Sequence, residues 1–228
     1  MKYSAIIPAG GSSTRYGNGN KLFQNLNGKP VFIHAVEQFR MFCEDRYIVI
    51  PVHKDHKSGL LSLMEQYLPH HQITVVEGGS DRTRSVLNAI EVLPRDCTLT
   101  AVHDAARPLI CRETIKAVYE AAEQHSAAAA ARRVTSTLKL ADSEGLLSAG
   151  NIDREYMWEI ETPQTFRTEL LLHALRETVA QGLSFTDDTA AVECFCGIRT
   201  YPVQPDEINL KITRLSDLAL AEALLNSR

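Results

Sequence analysis

Residues 3–15 of this 228-residue chain read YSAIIPAGGSSTR. An apolar run breaks into small residues, and the turn ends on Arg15. Gly10 and Gly11 carry no Cβ, so the backbone there can close on a ligand and aim its amides at anionic oxygens. Arg15 adds a permanent, forked positive charge. These residue types suit the binding of a nucleoside triphosphate and chemistry at its phosphates. Two nucleotide-binding fingerprints fail. The dinucleotide pattern lacks its third glycine, and no Lys-Ser or Lys-Thr pair follows the second glycine as a P-loop requires. A plain loop is the alternative for such a stretch.

Two further turns are built alike, Gly78-Gly79-Ser80 and His103-Asp104-Ala105-Ala106-Arg107-Pro108. A carboxylate such as Asp104, placed beside a triphosphate, suits Mg²⁺, which takes one or two carboxylates plus phosphate oxygens. Its competing role is to cap a helix or to pair with Arg107. His103 reads as a packed, hydrogen-bonded side chain and Arg107 as a bridge between loops. Lys21 follows Gly17-Asn18-Gly19-Asn20 and can swing over phosphate as a point charge, or remain a solvated loop lysine. Ser85, on the first turn of an expected helix, can meet ribose or base, or simply face outward.

These turns need a scaffold. Apolar runs at 3–8, 46–52, 72–76 and 98–103 alternate with helical patterns at 31–42, 57–67 and 82–92. That is βαβ alternation, which predicts a mostly parallel sheet flanked by helices. Ligands then sit beyond the carboxyl ends of the strands, where all three turns fall. Asp81 is placed to cap the helix at 82–92. Residues 119–131 (YEAAEQHSAAAAA) are contested, since alanine favours one continuous helix. The preferred reading is a helix ending near His125, then a strand over 127–134. Threonines and turns at Gly145 and Gly150-Asn151 make 134–160 a β-arm. Helices follow at 167–180, 187–195 and 215–226, with a late strand near 198–203. Asp187-Asp188 reads as a helix-start acidic pair. Thr162-Pro163-Gln164 reads as a turn leading to a helix, and Asn209-Leu210-Lys211-Ile212 as a strand-like alternation.

Composition narrows the class. Hydrophobic residues make up 44%, the net charge is −4 and the pI is about 6.1, so no global basic field exists to hold duplex nucleic acid. No apolar run reaches membrane-spanning length, and Met1-Lys2-Tyr3 leads directly into a strand, so a cytoplasmic protein with no membrane partner is expected. The five cysteines are odd in number and scattered, which predicts free thiols.

Seven segments appear in order: PAGGSSTRYG, EGGSDRTRSV, HDAARP, VTSTLK, DREYMWEIETPQTF, TDDTAAVE and INLKITRLSDLALAEALL. With them the chain resembles the 2-C-methyl-D-erythritol 4-phosphate cytidylyltransferase family of the non-mevalonate isoprenoid pathway. The resemblance implies an α/β, Rossmann-like, GT-A-like nucleotidyltransferase fold, with residues 1–228 forming one domain. It implies transfer of CMP from CTP to methylerythritol phosphate with release of pyrophosphate. Arg15 and Lys21 match the family's transition-state stabilisers, and Arg154 and Lys211 are counted with them as catalytic. Ala9, Gly10, Gly11, Gly79, Ser80, Ser85, Asp104 and Ala105 fall where the family holds CTP, with Mg²⁺ near Asp104. Thr137, Arg154, Thr162 and Lys211 fall where it meets methylerythritol phosphate. The arm implies a homodimer in which Arg154 and Thr137 serve the partner's site. The acceptor phosphate is largely dianionic near neutrality, so no general base is required. Two other readings stay open. One is a cytidylyltransferase for ribitol 5-phosphate or another sugar phosphate on the same fold. The other is a non-catalytic nucleotide-binding module, against which Arg15, Lys21 and Asp104 speak.

Overall fold

The computed structural model describes residues 1–10, 20–148, 150 and 152–227. In chain order its strands are β1 (Tyr3–Ile6), β2 (Asn25–Leu26), β3 (Lys29–Pro30), β4 (Ile48–Val52), β5 (Thr74–Glu77), β6 (Leu99–Val102), β7 (Ala127–Arg133), β8 (Trp158–Arg167) and β9 (Tyr201–Val203). The helices are α1 (Val31–Phe39), α2 (Lys54–Tyr67), α3 (Arg82–Ile90), α4 (Arg112–His125), α5 (Thr168–Ala180), α6 (Asp188–Cys196) and α7 (Leu215–Asn226). Seven strands form one sheet in the order β5-β4-β1-β6-β8-β7-β9. Pairing is parallel from β5 through β6, antiparallel on both sides of β8, and parallel again between β7 and β9. The expected mostly parallel α/β architecture is present. All five cysteines are free.

Burial on both faces explains the unbroken apolar strands. Side chains alternate across a strand, so neighbours enter different cores. Ile7, Ile48 and Ile50 join one buried cluster with Phe32 and Tyr119, while Ile6, Val49 and Val102 join another with Val86 and Phe166.

The alanine run resolves as a strand. Ser126 adopts φ 70°, which ends α4 in the left-handed region. Arg167 fixes that corner, its backbone N–H donating to the Ser126 carbonyl at 3.0 Å and its Nε to Ser126 Oγ at 3.1 Å. Ala127–Ala131 are then fully buried, so tertiary packing overrides helix propensity.

Three local expectations need correction. Thr162-Pro163-Gln164 lies inside β8 rather than leading to a helix, with a cis Thr162–Pro163 peptide. There the β7–β8 register slips. Ala129 faces Gln164 and Ala131 faces Ile160, so two steps along β7 match four along β8. The resulting bulge re-aims Glu161 and Thr162. The arm holds less β structure than its turns suggested. Between β7 and β8 the described residues contain one isolated bridge, Ala141 to Leu147, and a 3-10 turn at Arg154–Tyr156. Asp142 Oδ1 accepts the N–H groups of Glu144 and Leu146, both at 2.9 Å, so local side-chain bonding displaces a ladder. Finally, residues 208–214 form no strand. They cross the sheet rim as an irregular strap.

Candidate active site

Strand order reverses beside β1: β4 and β5 lie on one side of it and β6 on the other. A crevice outside the carboxyl ends of the strands is expected at such a switch point. Backbone bonds stitch this rim together. Ala9 N donates to Pro51 O at 2.8 Å, Gly78 N to Val52 O at 2.8 Å, and Ala105 N to Pro8 O at 3.4 Å. The turns after β1, β5 and β6 are thereby neighbours.

Glycine is required where these turns meet. A Cβ on Gly79 would stand 2.3 Å from Arg84 Cβ and 2.9 Å from the Arg84 carbonyl carbon. Ser85 lies on α3 and is buried; its Oγ donates to Asp81 O at 2.7 Å and accepts from Gly79 N at 3.0 Å. The Ser85 hydroxyl thus shapes the second glycine turn. Asp81 caps α3 as expected, accepting from Arg84 N at 2.8 Å. Ser80 is exposed, with its hydroxyl on Asp81. Ala9 and Ala105 are buried in the walls, and Gly10 lies with its Cβ direction 3.9 Å from Ser85 Oγ. Gly11 and Arg15 lie outside the described residues.

Asp104 is the electrostatic centre. Its Oδ2 meets Lys211 Nζ at 2.8 Å and Arg107 Nε at 3.5 Å. Burial works against its charge, but Lys211, Arg82 and Arg107 overcome this and hold the carboxyl well below the usual carboxylate range. The closest contacts of both cations fall on the same carboxylate oxygen, Oδ2. The bridging role expected of Arg107 is present: its Nη1 donates to Asn209 O at 2.7 Å and lies 3.9 Å from Glu161 Oε2.

His103 and Thr162 form a directed relay. Asp104 N donates to Thr162 Oγ1 at 3.0 Å. The Thr162 hydroxyl can then donate to His103 Nδ1 at 3.2 Å, and His103 Nε2–H to the Arg107 carbonyl at 3.2 Å. Only the neutral Nε2–H tautomer satisfies every member. Burial pushes the His103 pKa down to about 4. Thr162, expected at the acceptor, therefore also spends its hydroxyl on the Asp104 loop.

The strap at 208–214 completes the rim. Asn209 Nδ2 donates to Glu161 Oε2 and to Thr162 O, both at 2.8 Å. Ile212 N donates to Ala106 O at 2.8 Å, and Lys21 Nζ donates to Ile212 O at 2.9 Å. Lys21 and Lys211 are thus brought to one strap. Arg154 and Thr137 are not brought there. Both are exposed on the arm, and the Arg154 guanidinium donates to the Thr135 carbonyl. Sequence reasoning gave no role to Glu161, Asn209 or Arg82, although each lies within one of the segments that carry the family resemblance, and the place of Arg82 directly after the Asp81 cap was a usable signal.

Asp104 fits the coordination Mg²⁺ favours, since it offers a hard, ionised oxygen donor. No group of three or more His, Cys, Asp or Glu side chains that could cage an ion occurs among the described residues. An ion here would need phosphate oxygens as co-ligands. No helix among the described residues is long and apolar enough to cross a membrane.

Comparison with known proteins agrees with this geometry. The family model described as IspD: 2-C-methyl-D-erythritol 4-phosphate cytidylyltransferase matches residues 3–227. The chain is similar to the 2-C-methyl-D-erythritol 4-phosphate cytidylyltransferase of Caldanaerobacter subterraneus subsp. tengcongensis, 35% identical over 227 residues and covering 99% of each chain. It is 34% identical to the protein of the same name from Bacillus velezensis, covering 100% of this chain and 97% of that one. The crystal structure of 2-C-methyl-D-erythritol 4-phosphate cytidylyltransferase from Thermus thermophilus superposes with a TM-score of 0.80 at 29% identity, covering 99% of this chain and 100% of that one.

Proposed function

The chain belongs to the 2-C-methyl-D-erythritol 4-phosphate cytidylyltransferase family and is a nucleotidyltransferase, and from that premise we propose how its residues divide the work. The reaction joins CTP to 2-C-methyl-D-erythritol 4-phosphate, giving 4-diphosphocytidyl-2-C-methyl-D-erythritol and pyrophosphate. An oxygen of the acceptor phosphate attacks the α-phosphorus of CTP in line, and the bond from that phosphorus to the β-phosphate oxygen breaks. No proton moves, because the acceptor monoester is already largely dianionic.

The difficulty is repulsion between two anions. Positioned cations answer it by orienting the reactants and neutralising charge. The glycine turns after β1 and β5, with Ala9, Gly10, Gly11, Gly79, Ser80, Ser85, Asp104 and Ala105, hold CTP. Arg15 and Lys21 neutralise the charge in flight. Lys211 and Thr162 meet the acceptor from their own subunit. Thr137 and Arg154 reach it from the arm of a second subunit, where the Arg154 fork suits a monoester phosphate. Exposed Leu140, Leu146, Leu147 and Tyr156 on the arm support a homodimer. Asp104 would hold Mg²⁺ against the triphosphate, and the ion would supply charge neutralisation at the phosphates. Free thiols fit a cytoplasmic setting.

One observation carries the reading: Lys21 and Lys211 share one strap, and Lys211 stands 2.8 Å from Asp104 at the switch point. The test is pyrophosphate release from CTP and Mg²⁺ with a panel of phosphate-monoester acceptors. Methylerythritol phosphate should be preferred, and Lys21→Ala should lower turnover by at least ~10²-fold, a typical cost of one oriented charge donor. Preference for ribitol 5-phosphate would overturn the acceptor assignment. CTP binding without turnover on any acceptor would favour a binding module.

A further inference from the structure

The strongest unassigned feature is a buried ion pair behind the second glycine turn. Arg82 is the first residue of α3, directly after Asp81 and the Gly78-Gly79-Ser80 turn. Its Nη1 lies 2.7 Å from Oδ2 of Asp188, the first residue of α6, whose side chain is 2% exposed. Neither side chain was singled out by the motif reading as chemical. The pair joins elements far apart in the chain, and α6 is fixed in turn to β8. Gln164 Oε1 accepts from Asp188 N and Gln164 Nε2 donates to Asp187 Oδ2, both at 3.1 Å. Asp187 also caps α6. Asp188 therefore has no freedom to follow Arg82; it dictates where the guanidinium stands.

The guanidinium is not spent by this contact. It has five N–H donors, and Asp188 is its only side-chain partner among the described residues. One third of the Arg82 side chain remains exposed. Burial opposes its charge, but Asp188 and then Asp104 more than restore it. The reciprocal effect on Asp104 is second only to that of Lys211. Arg82 is thus electrostatically part of the Asp104 site while anchored elsewhere. A buried ion pair is weak support for stability as such, since desolvation offsets much of the attraction. Its use is better sought in placement.

We propose that Arg82 is a further nucleotide-binding residue, a cation aimed from the second glycine turn at the triphosphate, and that Asp188 is the positioning residue that holds it. This rests on the nucleotidyltransferase reading above. It adds a contact that grows with the number of phosphates rather than with the base or sugar. The guanidinium fork, with donors left after Asp188 is served, matches phosphate oxygens.

The test is calorimetric titration of the full chain with CMP, CDP and CTP in the presence of Mg²⁺. In Arg82→Gln the affinity for CTP should fall by roughly 10-fold or more, the size of one lost charge-assisted bond, while CMP changes little. Arg82→Lys should recover part of the loss. Asp188→Asn should show the same dependence on phosphate number, more weakly. Removing one partner can destabilise the fold by stranding the other charge. The double variant Arg82→Gln/Asp188→Asn leaves a neutral amide pair and should fold with the same graded loss. Equal losses for CMP and CTP, or no loss for CTP, would overturn the assignment. A wild-type protein that binds no cytidine nucleotide would instead overturn the reading beneath it.

Discussion

Acidification should loosen this fold through His103, a side chain that reaches no solvent. Its neutral ring is committed on both nitrogens, to Thr162 and to the Arg107 carbonyl, and it packs against Phe39 with ring centroids 5.1 Å apart. Burial is the chief cause that lowers its pKa to about 4 in the folded chain. In the unfolded chain the ordinary value of about 6.5 applies. As pH falls, the unfolded state takes up the proton first, so stability is lost between about 6.5 and about 4. At pH ~4.5 the loss from this one group is about 2.5 kcal/mol. Asp104 does not confuse the result. Its folded pKa is depressed, so its contribution is intact above about 3.9 and is lost only below that. His34, lowered chiefly by burial, acts in the same direction as His103, so a variant must isolate the effect. Urea unfolding of wild type and His103→Gln at pH ~7 and pH ~4.5 does so: wild type should lose about 2 kcal/mol more between the two conditions. Equal losses in the two proteins would refute the neutral, buried relay.

Two other outcomes follow from the geometry. Gly79→Ala forces a Cβ into Arg84 and should cost about 1–3 kcal/mol, read by thermal unfolding, with a parallel loss of CTP affinity as the turn shifts. If the proposed arm-mediated homodimer forms, Leu147→Asp, which places a charge on an exposed apolar tip of the arm, should convert it to monomer in sedimentation while leaving the far-ultraviolet circular dichroism unchanged.

The parallel half of the sheet was legible because its signals are local: apolar runs, Gly-rich breaks and the Asp81 cap agree with one another. The end of α4 was legible through Ser126, although alanine propensity pointed the other way. Legibility failed where distant contacts decide. Thr162-Pro163-Gln164 looks like a turn in isolation, yet Gln164 pairs with both β6 and β7 and the segment lies within a strand. Asn209 to Ile212 alternates like a strand, but its polar groups are claimed by Thr162, Glu161, Arg107 and Ala106, so no ladder forms. Around the sheet rim, the places of the second glycine turn and of the HDAARP turn after their strands, and the bridging role of Arg107, could be read directly. The meeting of Lys211 with Asp104, and of Arg82 with Asp188, has no signature along the chain. Each needs the fold to bring its partners together.

The strap has a consequence for how the enzyme is made. Its far end is gripped by α7, where Asp217 Oδ2 accepts from Thr213 N, Thr213 Oγ1 and Arg214 N, each at 2.8 Å. Synthesis runs from the amino end, so the glycine turns and Asp104 emerge from the ribosome long before residues 208–217. A nascent chain can thus pair β1, β4, β5 and β6 while Lys21 and Asp104 still wait for their partners, and the two amines are set in place only once residues 208–217 have followed.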